Sequence, residues 1–128
     1  MRNLSRERVD IVAKHCNYGG MVTAAMKRAE LRAHMFRALA HPLRMLMLEK
    51  LETRSWCVCK LAEELGVDKS VASKHLSILK EAGLVSDERR GTIVEYSLSA
   101  PCVLRLAACA EGAVLRNRTR RLGLSAPA

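Results

Sequence analysis

The sequence predicts a mainly α fold with one small β-hairpin, and three observations carry that expectation. Apolar residues recur at steps of three and four along most of the chain, as on one face of a helix. Between residues 84 and 98 the step drops to two, as in a half-buried strand. Aromatic residues make up only 3% of the 128 residues while apolar residues reach 49%, so Leu, Val, Ala and Met must build the core. That composition suits helices packed on helices better than a β-sandwich, and the length suits one domain.

Residues 1–20 read as an N-terminal arm ending at Gly19-Gly20. From Met21, an apolar stripe through Val22, Ala25, Met26, Ala29, Ala33, Phe36 and Leu39 or Ala40 predicts the first helix. His41-Pro42 ends it, because the residue before a proline is pushed out of the helical region. Pro42 then suits the first turn of a second helix through Leu43, Leu46, Met47 and Leu51. Glu52-Thr53-Arg54 reads as a connection and Ser55 as the N-cap of a third helix over 56–65. Gly66 breaks that helix. Asp68 is placed to cap a fourth, with Val71, Ala72, Leu76, Leu79 and His75 toward the inside and Gly83 at its end. Leu84–Leu98 reads as two strands around a charged tip, Asp87-Glu88-Arg89-Arg90-Gly91. Pro101 opens a last helix with a stripe of Val103, Leu106, Ala107, Ala110 and Val114. The main domain thus covers 21–117, and residues 118–128 read as a basic, frayed tail.

The order helix-helix-helix-helix-hairpin-helix, with a Gly-containing turn between two short helices, describes a winged helix-turn-helix. The formal charge of +9 points to a polyanion, nucleic acid or an anionic surface. The fourth helix begins with Lys69, Ser70, Ser73 and Lys74, donors of the kind that meet phosphates and base edges. A helix N-terminus adds unpaired N–H groups that favour phosphate. Arg89 and Arg90 in the hairpin are placed to reach a neighbouring backbone or minor groove, and His75 completes the candidate set for double-stranded DNA. No apolar run approaches the roughly 18 to 20 residues that span a bilayer, and the first residues lack the apolar core of a signal peptide. The expectation is a cytoplasmic protein with no membrane partner. No nucleophile stands beside a base in the manner of an enzyme. Five cysteines in a reducing compartment suggest metal or redox chemistry more than structural disulfides.

The run from Phe36 to Leu98 resembles the ArsR/SmtB family of metal-sensing repressors. The likeness covers about residues 30–100. It rests on the ALAHPLR junction, the Cys57-Val58-Cys59 run, the SVASKHLSILKEAGLV helix, and the G-x-x-V-x-Y-x-L pattern of Gly91, Val94, Tyr96 and Leu98. The resemblance implies a repressor that binds operator DNA as a homodimer through its first and last helices, here the stripes on 22–40 and 103–114. It places Lys69, Ser70, Ser73 and Lys74 where the family contacts DNA, with Lys69 where a glutamine is often found.

The resemblance also makes Cys57 and Cys59 a thiolate site. In mid-helix, residues two apart point about 200° from each other and cannot share an ion, whereas in an irregular first turn they can. A helix N-terminus also favours the thiolate, the form that binds metal. Arsenite-sensing members often add a cysteine three positions on, which is Ala62 here. Cadmium- and lead-sensing members take cysteines from the arm, and this chain has Cys16 beside His15. A trigonal sulfur site from Cys16, Cys57 and Cys59, the arm coming from either subunit, suits As(III) first, then Sb(III), Cd(II) or Pb(II). The alternative is a redox or persulfide sensor working through a cysteine pair. Cys102 and Cys109 lie seven residues apart, about 10.5 Å along one helix face, too far to chelate one ion together, and read as small apolar residues of the dimer interface. The last helix lacks the Asp/His/Glu set of zinc-sensing relatives. His41 reads as a turn residue.

Overall fold

The computed structural model describes residues 23–123. The arm with His15 and Cys16 lies outside the described residues, as do Met21 and Val22. The described residues divide into two units between Arg32 and Ala33. In chain order the elements are α1 (Ala24–Leu39), α2 (Pro42–Thr53), β1 (Trp56–Cys57), α3 (Val58–Leu65), α4 (Lys69–Glu81), β2 (Val85–Arg90), β3 (Ile93–Leu98) and α5 (Cys102–Arg121). The strands form one antiparallel sheet in the order β1-β3-β2. This is the winged helix-turn-helix that the periodicities predict, with one strand more than the sequence suggested.

The core lies where α2, α3 and α4 meet the hairpin. Met47, Leu48, Leu61, Leu76 and Leu79 are completely buried, and Leu51, Ala62, Ala72, Leu84, Val85 and Tyr96 close around them. Each of the buried Leu, Met and Val side chains contributes about 1.5–3 kcal/mol by leaving water. The terminal helices add little: Ala38 is the one buried residue of α1 and Val103 the one of α5. A helix of 20 residues with a single buried side chain finds no cover among the described residues for the rest of its apolar surface. Phe36 (50% exposed), Leu106 (44%), Val114 (56%) and Leu115 (53%) all stand open.

Four elements differ from their expected bounds. The third helix begins at Val58, because Trp56 and Cys57 are extended and pair with Tyr96 and Glu95 of β3. A strand of two residues is too short to show a period. Ser55 accordingly caps no helix, and its hydroxyl lies 2.9 Å from that of Ser97. The second helix continues through Thr53, so Arg54 and Ser55 alone make the connection, with the Trp56 indole N–H donating to the Lys50 carbonyl at 3.0 Å. Leu46, expected inside, is 48% exposed, and Leu48 takes the core position.

The third change is the hairpin. Asp87–Arg90 belong to β2 rather than to a tip, and Gly91-Thr92 makes the turn. Beyond Val85 every residue of β2 is exposed, so the strand carries no apolar alternation to read. The fourth is the tail. Helix α5 runs on through Arg121, so residues 118–121 are helical where fraying was expected, while 124–128 lie outside the described residues.

Candidate nucleic-acid interface and thiol pair

Helix α4 is set by its two ends. At the turn before it, Gly66 adopts φ +65, which lets the Gly66 N–H reach the Glu63 carbonyl and the Val67 N–H reach the Ala62 carbonyl. Asp68 occupies the N-cap position, but its carboxylate makes no cap hydrogen bond, and its contribution is the main-chain carbonyl that accepts from Ala72 at 3.0 Å. At the far end Gly83 (φ +77) lets the Leu84 N–H return to the Leu79 carbonyl, which turns the chain directly into β2. Lys80 reaches Asp87 at 2.8 Å, a surface tie from α4 to the wing that also raises the pKa of the lysine.

With Ala72, Leu76 and Leu79 buried, Lys69, Ser70 and Lys74 are exposed and Ser73 is half-buried. Val71 departs from expectation: it is 38% exposed, because successive residues turn by about 100° and the stripe through Ala72 carries it out of the core. An apolar side chain among cationic donors on such a helix suits contact with a thymine methyl group. In the wing, Arg89 bonds only the Gly91 carbonyl, at 3.3 Å, whereas Arg90 lies 3.3 Å from Glu88 and 3.8 Å from Glu95. Those pairs are exposed and weak, and do not withhold Arg90 from a phosphate.

His75 is half-buried rather than displayed. Its Nδ1 lies 3.2 Å from Nη1 of Arg44, and its ring centroid is 4.4 Å from that of His41. Burial first, then His41, Arg44 and Lys74, hold its pKa below the ordinary histidine value. His41 is more than a turn residue: its Nδ1 accepts from the Leu43 N–H at 3.1 Å and caps α2. Arg44 was passed over in the sequence. The available signal is its place on the stripe Arg44, Met47, Leu48, Leu51, where an arginine stands at an inward position.

Cys57 is the N-cap of α3, extended at φ −75 and ψ 149 and half-buried, while Cys59 is the second helical residue and is exposed. The pair therefore straddles the junction of β1 and α3, where the mid-helix objection to a shared ion does not apply. Among the described residues no group of three His, Cys, Asp or Glu side chains is placed to hold a metal ion. Cys16, the expected third ligand, lies outside them. Cys102 and Cys109 are exposed free thiols in this chain.

A family model described as "Bacterial regulatory protein, arsR family" matches residues 41–87, the span from the start of α2 into β2. An HTH-type transcriptional regulator of Mycobacterium tuberculosis, Rv0081, is 34% identical over 96 residues, covering 74% of this chain and 84% of the relative. A transcriptional repressor SmtB homolog of Synechocystis is 37% identical over 82 residues, 64% of this chain and 62% of its own. The crystal structure of the M. tuberculosis protein superposes with a TM-score of 0.62 at 35% identity, over 73% of this chain and 95% of that one. A homodimeric winged helix-turn-helix DNA-binding domain of Mycobacterium bovis, determined by NMR, gives 0.66 at 26% identity, over 80% and 94%. Fold and sequence together define a DNA-binding transcriptional regulator rather than an enzyme. The chain belongs to the ArsR/SmtB family. Among the described residues no helix is long and apolar enough to cross a membrane.

Proposed function

We propose that the protein is a repressor that binds operator DNA as a homodimer and releases it when Cys57 and Cys59 engage a thiophilic ion, As(III) foremost. The observation that carries the DNA reading is α4, anchored by Ala72, Leu76 and Leu79 while Lys69, Ser70 and Lys74 face outward beside an arginine-bearing wing. The dimer reading rests on α5, a helix with one buried residue and exposed Leu106, Val114 and Leu115, and on the likeness to the homodimeric M. bovis domain.

The inducer reading rests on two thiols at the β1–α3 junction. Soft sulfur donors suit As(III), Sb(III), Cd(II) or Pb(II), and Cys16 of either subunit is the proposed third ligand. Drawing Cys57 and Cys59 together with the arm strains both β1, which is bonded to the wing, and α3, which packs on α4. A difference of only about 3 kcal/mol between the two states lowers DNA affinity more than 100-fold.

The test is fluorescence anisotropy of reduced protein on its own upstream DNA, titrated with arsenite and then Cd(II), beside a Cys57→Ser/Cys59→Ser variant. Release of wild type by one ion, absent in the variant, supports the sensor and names its ligand class. Tight binding that neither ion disturbs leaves the repressor and removes the metal reading. Three exposed free thiols favour one alternative, a cysteine pair oxidised to a disulfide by a peroxide that accepts the two electrons. Release by peroxide in chelator-treated protein distinguishes it.

A further inference from the structure

Arg44 is the single charged residue with a buried side chain among the described residues, at 8% exposure. A guanidinium withdrawn from water must find acceptors, and this one finds three. Nε donates to the Ala38 carbonyl and Nη2 to the Arg37 carbonyl at 3.1 Å. Both belong to the last turn of α1, where carbonyls lack regular i+4 partners, that of Arg37 taking only the Ala40 N–H at 3.3 Å, and the helix end favours a cation. Nη1 meets Nδ1 of His75, on α4, at 3.2 Å. One side chain thus joins three helices.

The chemistry of that third contact is one-directional. A guanidinium only donates, so His75 Nδ1 must accept, and the proton of the neutral ring sits on Nε2. His41 is fixed the same way, its Nδ1 accepting from the Leu43 N–H. The His75 imidazole cannot take a proton on Nδ1 without losing its bond to Arg44. The charged and titratable groups acting on His75 are His41 from the α1–α2 link, Arg44 from α2 and Lys74 from its own helix, with no carboxylate among them.

We infer that Arg44 is a positioning residue for DNA reading, which holds the recognition helix α4 through His75 and ties it to the end of α1. This rests on the DNA-binding reading above. A consequence separates it from a merely structural role. Protonating a surface histidine strengthens binding to phosphates, whereas protonating His75 drives off Arg44 and loosens the helix. Sequence-specific affinity then falls on acidification while non-specific affinity does not.

The experiment measures anisotropy on the upstream duplex and on an unrelated duplex, from about pH 7.5 to about pH 5.5, a span that brackets the ordinary histidine value. Wild type, R44K and H75N are compared, each checked for folding by circular dichroism. Asparagine keeps an acceptor near the place of Nδ1 and does not titrate. For wild type we expect the specific-to-non-specific ratio to fall about tenfold with acid, and H75N to lose that fall. Lysine retains the charge but not the fork that spans two helices, so R44K should lose about tenfold in the ratio at the higher pH with its salt dependence unchanged. A wild-type ratio that holds or rises with acid, or an R44K ratio like wild type, overturns the proposal. Should R44K not fold, the H75N profile decides. Wild type binding both duplexes equally at every pH would sink the DNA-reading premise instead, a result distinct from either.

Discussion

Cys57 and Glu95 stand directly opposite each other in the antiparallel pair that joins β1 to β3, with Glu95 in turn opposite Glu88 of β2. The residue proposed to bind the inducer is therefore one rung from the middle strand of the wing. Under the proposed mechanism two routes lead from the thiols to the DNA-binding elements, one along α3 into α4 and one across this rung into the hairpin. Hydrogen exchange with and without arsenite tells them apart. We expect the amides of Ile93–Leu98 to lose protection along with those of α4, whereas a change confined to α4 would show that the wing route is idle.

Lys74 and Val71 should fail differently. Lys74→Ala is expected to weaken binding to every duplex alike and to lower the slope of log affinity against log salt by about one. Val71→Ala should leave that slope intact and reduce affinity for the upstream duplex alone, by less than about tenfold. Anisotropy at three salt concentrations checks both.

Leu76 has no exposed surface and lies at the centre of the α4 core face. Leu76→Ala is expected to cost about 2–5 kcal/mol, the transfer of the lost methyl groups plus the cavity they leave. Urea unfolding measures it, at one fixed protein concentration so that the proposed dimerisation contributes equally to both variants.

Stability should also depend on pH through His75. Its folded pKa is depressed from the ordinary 6.5, first by burial and then by His41, Arg44 and Lys74. The unfolded chain therefore takes the proton first. The contribution of neutral His75 is complete above pH 6.5 and is lost as the pH falls from there through the lower folded value. Thermal midpoints across this range should drop more steeply for wild type than for His75→Asn, and equal slopes would assign the titration to other histidines.

Val114 is 56% exposed on α5. If that helix forms the dimer face, Val114→Asp places a carboxylate in an apolar interface and should yield monomers by light scattering, with loss of high-affinity operator binding. A dimer that persists would move the interface elsewhere.

Much of this was legible in the sequence because long amphipathic helices advertise themselves. The stripe Ala72, Leu76, Leu79 and the glycines at 66 and 83 located α4 closely, and with it Lys69, Ser70 and Lys74. The failures share a physical cause, which is that tertiary partners override local pattern. Trp56-Cys57 becomes a strand only because β3 is there to pair with it, and Ser55 is drawn to Ser97 instead of a helix start. β2 lacks alternation because neither of its faces is covered beyond Val85. Arg44 hides among apolar neighbours because its acceptors, at positions 37, 38 and 75, lie on other helices. Cys57 and Cys59 were legible as a pair, whereas their place at the β1–α3 junction was not, because β1 exists only through its pairing with β3.

The sheet that carries the wing has β2 as one outer strand and two-residue β1 as the other. An open strand is a template on which another chain can assemble, and repressors crowded side by side on DNA would meet wing to wing. Here the long outer strand runs Asp87-Glu88-Arg89-Arg90, charged at four successive exposed positions, and the opposite border is too brief to seed a ladder. Any strand laid against β2 would have to strip water from both signs of charge at once. The same residues that hide the length of β2 in the sequence thus keep the wing a solitary finger, free to enter a groove and unwilling to stitch neighbouring proteins together.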